Sequence, residues 1–70
     1  MFRKLKARLY ELGITQLELS KRIGRSKTYL SERMTGKKSW ELDDCFTILQ
    51  ILDEPTASIT DYFPKGGRRA

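Results

Sequence analysis

Residues 15–36, TQLELSKRIGRSKTYLSERMTG, constrain the chain more than any other stretch. Thr15 is a good N-cap, and Glu18 three residues later completes a capping box. Leu19 and Ile23 sit four apart on one helical face. Ser20, beside Leu19, is small where two helices can approach closely. Gly24 can take the left-handed conformation that ends a helix. Ser26 then caps a second helix, in which Leu30 and Met34 form the inward face and which Gly36 ends. The reading is two helices, 16–23 and 27–35, joined by a short turn, which is the helix-turn-helix plan.

The flanks add further helices. Leu5, Leu9 and Leu12 line one face of a first helix over 1–12, Gly13 ends it, and Ile14 packs as a hydrophobic staple before Thr15. Tyr10 is placed either in the core or at its rim. A fourth helix over 40–52, capped by Ser39 or Glu41, carries Asp43 and Asp44 near its N-terminus, where negative charge is favoured. Its Leu42, Cys45, Phe46, Leu49 and Leu52 follow a period of 3.6, and Ile48 and Ile51 widen the band. So wide a band predicts burial on two sides, against the rest of the domain and against a second subunit. Trp40 is expected at the rim. After a turn broken by Pro55, Ser58–Asp61 reads as a second capping box, opening a short helix with Ile59, Tyr62 and Phe63 that Pro64 stops. The expected fold is all-α: a compact bundle of about five short helices in one domain, 1–64, followed by a basic disordered tail, 65–70.

Charge divides along the chain. Residues 1–38 hold 11 Lys/Arg and 3 Asp/Glu, whereas residues 39–64 hold 6 Asp/Glu and no Lys/Arg. A basic half points to a polyanionic partner, and the acidic half is expected to be held away from it. The single cysteine, Cys45, excludes an intrachain disulfide and reads as a buried small hydrophobe. There is no signal-peptide pattern and no apolar run long enough to span a bilayer, so the expected location is the cytoplasm. With no His, one Cys, no Walker loop and no dinucleotide fingerprint, nothing points to catalysis, a metal or a cofactor. The pairs Asp43-Asp44 and Asp53-Glu54 read as a solvated acidic face, because adjacent residues on a helix diverge.

The ordered set Thr15-Gln16, Leu19, Ser20, Ile23-Gly24, Ser26, Leu30 and Gly36 resembles the DNA-reading core of the small phage Cro/CI-type repressors. Leu5, Leu9, Leu12-Gly13-Ile14, Leu42, Ile48-Leu49, Leu52 and residues 59–63 extend the likeness over residues 3–64. There are two departures from the family pattern. Arg33 stands where many members carry an apolar residue, so Met34 must fill the core. Leu9 and Met34 stand where several members pair an Arg with a Glu. The resemblance implies a lambda-repressor-like DNA-binding domain.

On that reading helix 27–35 enters the major groove, with Lys27, Thr28, Ser31 and Glu32 facing base edges. Lys27 can donate to guanine O6/N7, and Thr28 can meet a thymine methyl. Ser31 admits close approach. Glu32 either accepts from the N4 amino group of cytosine or forms an ion pair with Lys27 or Arg33. Gln16, Arg25, Ser26, Tyr29, Arg33, Lys37 and Lys38 are the phosphate candidates, with Arg33 alternatively stacking on Tyr29. The expected function is a sequence-specific transcription regulator, a phage or prophage repressor, binding double-stranded DNA as a homodimer. Two copies would read half-sites about 34 Å apart, joined through residues 40–63. No membrane and no small-molecule ligand is expected. Two alternatives remain at this point: an antitoxin-type autoregulator that binds a toxin and its own promoter, and a protein-interaction module whose helix 27–35 meets an acidic protein.

Overall fold

In the computed structural model, which describes residues 2–64, every regular element is helical. They are α1 (Arg3–Glu11), α2 (Gln16–Arg22), α3 (Lys27–Met34), α4 (Leu42–Ile51), a 3-10 turn over Thr56–Ser58, and α5 (Ile59–Tyr62). The expected tail, 65–70, lies outside the described residues.

Apolar spacing accounts for which faces meet. Leu5 and Leu9 from α1, Leu19 from α2, Leu30 and Met34 from α3, and Cys45, Ile48 and Leu49 from α4 are all buried in one core. Ile14, Ile23, Ile51 and Ile59 pack against its edge. Ser20 is buried and its hydroxyl donates to the Leu17 carbonyl at 2.6 Å, so a small, internally satisfied residue lies on the buried side of α2.

Two expectations about the ends of helices change. Trp40 is fully buried rather than at the rim, and α4 begins only at Leu42. Its indole meets Phe63 edge-on at 5.1 Å and Phe2 at 6.0 Å. Phe2 adopts φ +58°, a conformation that costs an L-residue about 1–2 kcal/mol, and burial of its ring between Trp40 and Phe63 offsets that cost. The second capping box does not form: Ser58 makes no side-chain cap and belongs to the 3-10 turn, while Asp61 faces Lys4 at 3.7 Å. Exposure of Tyr10, at 87%, places it in solvent rather than the core.

Cations of α1 are partly answered by the acidic half of the chain. Arg8 donates to the carbonyl of Leu52, which ends α4, at 3.3 Å and lies 3.6 Å from Glu54. Tyr62 donates to the same Glu54 carboxylate at 3.1 Å. Lys4 adds the Asp61 contact and stands over the Tyr62 ring at 5.1 Å. The charge division seen along the chain is therefore partly closed within the fold. Glu54 and Asp61 hold α1 against α5, and Lys4 and Arg8 are not free of partners.

Candidate nucleic-acid interface

The turn between α2 and α3 is specified residue by residue. Ile23 ends α2, and Gly24 follows at φ +72°. The Arg25 N–H reaches back to the Ser20 carbonyl at 2.8 Å and the Gly24 N–H to Lys21 at 3.2 Å, which is the Schellman arrangement. Ser26 then accepts from the Tyr29 N–H at 3.0 Å and starts α3. At the start of α2, Thr15 likewise accepts from the Glu18 N–H at 3.1 Å. The Glu18 side chain does not complete a reciprocal box; it turns to Arg22, one helical turn on, at 2.7 Å. Both caps therefore fix where the two helices begin, and the glycine fixes the angle between them.

This geometry decides which face of α3 is free. Leu30 and Met34 are buried, so Lys27 and Thr28 stand exposed, and Ser31 and Glu32 are half-buried beside them. These four residues, with Thr35 and Lys37, line an open depression of about 630 Å³. The Thr35 hydroxyl bonds back to the Ser31 carbonyl at 3.0 Å. Glu32 lies 3.7 Å from Arg33, a long ion pair to one carboxylate oxygen. Lys38 is exposed beyond the depression.

Not every phosphate candidate lies on that face. Tyr29 and Arg33 turn toward the body of the protein. The Tyr29 hydroxyl donates to Asp44 Oδ2 at 2.5 Å. The Arg33 guanidinium stacks over the Tyr29 ring at 3.5 Å, with its side chain only 11% exposed. Stacking, one of the two roles foreseen for Arg33, is the one the geometry has. Burial, and then the hydrogen bond to Asp44, push the Tyr29 phenol above its ordinary pKa. Arg25 stays half-exposed in the turn, 3.5 Å from Asp44 Oδ1 and 4.8 Å from the centre of the Tyr29 ring. Gln16 lies elsewhere, in a mainly apolar depression of about 460 Å³ that it shares with Lys6, Tyr10, Leu9 and Met34. Leu9 and Met34 both line this depression.

Asp44 escaped the sequence reading, which placed both Asp43 and Asp44 on a solvated face. Asp43 is exposed, but Asp44 is buried. The available signal was its spacing, four residues before Ile48 and therefore on the core side of α4. One carboxylate of the acidic half is thus built into the edge of the basic motif.

Among the described residues, no group of His, Cys, Asp and Glu could hold a metal ion, and no helix is long and apolar enough to cross a membrane. The sequence model of one family, described as "Protein of unknown function (DUF739)", matches residues 1–66. No curated protein and no solved structure matches the chain.

Proposed function

The chain belongs to that family, whose description assigns no activity, and we propose from the geometry of α2 and α3 that it is a sequence-specific regulator of transcription that binds duplex DNA, of the phage Cro/CI repressor kind. The observation that carries this reading is the division of α3. Leu30 and Met34 are buried while the polar residues Lys27, Thr28, Ser31 and Glu32 line one open depression. An α-helix that presents short hydroxyls and one long donor on its free side fits the width of the major groove, where base edges offer matching groups.

In this reading Lys27 donates to guanine and Thr28 packs on thymine or bonds an acceptor. Lys37 and Lys38, in the exposed loop after α3, contact phosphates on the groove wall and add affinity common to all sequences. One α3 reads few base pairs, so the protein acts as a homodimer on a two-fold operator in the cytoplasm and represses by occupying promoter DNA. Phe46, 38% exposed on α4, is an exposed large apolar side chain available to that pairing within residues 40–63. Selection of bound sites from random duplex tests the whole proposal. A palindromic consensus is expected; recovery of unselected sequence contradicts it.

A further inference from the structure

Arg25, Asp44 and Tyr29 form a cluster at the edge of α3 whose geometry has a consequence for DNA binding. Both carboxylate oxygens of Asp44 are engaged, Oδ2 by the Tyr29 hydroxyl and Oδ1 by Arg25 Nε. The Asp44 side chain is 7% exposed and that of Arg25 46%. A guanidinium has two edges that can grip an oxyanion. Here the Asp44 carboxylate forms a 3.5 Å ion pair on the Nε side, and the terminal nitrogens of the half-exposed group are donors that can meet another acceptor. We propose that Asp44 is a positioning residue that holds Arg25 by its Nε edge, so that the terminal nitrogens clamp one phosphodiester of bound duplex DNA. The inference rests on the duplex-DNA reading above.

A carboxylate near a polyanion normally repels it, so removing the charge should strengthen binding. If Asp44 aims Arg25, removal weakens binding instead. Asp44→Asn is a suitable change, because the carboxamide keeps an acceptor for Tyr29 but no charge to hold Arg25.

The experiment measures the affinity of the full chain for a random-sequence duplex across a salt series. Arg25→Ala is expected to bind about tenfold more weakly, the loss of one charge-assisted contact, and to lower the log–log salt slope by about one. Asp44→Asn is expected to weaken binding several-fold when Arg25 is present and to add nothing when Arg25 is already Ala. Arg25→Lys, a single ammonium that cannot serve both partners, should bind no better than Arg25→Ala. Tighter binding by Asp44→Asn, or an equal loss with and without Arg25, overturns the inference. If Asp44→Asn does not fold, Arg25→Lys decides, and wild-type affinity in that variant overturns it. Absence of duplex binding by the unaltered chain overturns the DNA reading itself.

Discussion

Tyr29 on α3 and Asp44 on α4 are joined by a hydrogen bond of 2.5 Å across fifteen residues of sequence. It links the helix with the free polar face to the helix with the widest apolar band. The orientation of α3 therefore depends on two supports: Leu30 and Met34 in the core, and Tyr29, flanked by two arginines, at its edge.

That bond has a pH signature. Burial first, and then the bond to Asp44, raise the Tyr29 pKa; burial and the bond to Glu54 do the same for Tyr62. A tyrosine free in the unfolded chain loses its proton near pH 10. Above that pH the unfolded chain holds fewer protons than the folded one, so stability falls as pH rises. The contribution is complete below about pH 10 and is lost as pH climbs toward the raised folded values. Urea unfolding at a series of alkaline pH values should show this decline, and Tyr29→Phe with Tyr62→Phe should flatten it.

Trp40 joins Phe2 to Phe63 and thereby closes the N-terminal end of α1 onto the end of α5. Trp40→Ala would leave a cavity at a fully buried site and cost about 3–5 kcal/mol. A small domain has only about 5–15 kcal/mol in total. Thermal unfolding by circular dichroism should show a large drop in Tm or no cooperative transition.

Gly24 and Asp53 occupy equivalent places after α2 and α4, at φ +72° and +57°, each followed by the same pair of backbone bonds. Nothing lies within 4 Å of a Cβ at Gly24, so Gly24→Ala carries the backbone penalty alone, about 1 kcal/mol. Asp53→Gly relieves the same strain and should stabilise by up to about 1 kcal/mol. Both shifts should appear in the urea midpoint with an unchanged m-value.

Lys27 and Lys37 both line the α3 depression, yet they should behave differently. Lys27→Ala should cost about 1–3 kcal/mol on the preferred site and relax base preference at one position. Lys37→Ala should weaken all sequences alike and reduce the salt slope by about one. Titrations of selected and scrambled duplexes at several salt concentrations separate the two.

Local chemistry made much of this fold legible. Thr15, Gly24 and Ser26 act through bonds within a few residues, so their caps and turn could be read directly. The inward pair Leu30 and Met34 followed from helical spacing, and with it the free face bearing Lys27 and Thr28. What escaped depends on contacts distant in sequence. The burial of Trp40 needs Phe2, thirty-eight positions away, and Phe63. Withdrawal of Tyr29 from the free face needs Asp44, fifteen positions on, whose partners no local pattern announces. Ser58 had the right spacing for a capping box, but Asp61 meets Lys4 of α1 instead. The apolar band of α4 is wide in sequence, but its side chains Cys45, Ile48 and Leu49 are buried within one copy of the chain, leaving Phe46 as its exposed large apolar group.

The central claim is that the free side of α3 meets DNA, and amide chemical-shift mapping during titration with the selected duplex tests it most directly. The account predicts the largest shifts at Lys27, Thr28, Ser31 and Glu32, with smaller ones at Arg25, Lys37 and Lys38. Shifts confined to the Lys6–Tyr10–Gln16 depression or to the outer side of α4, with α3 unmoved, would contradict it.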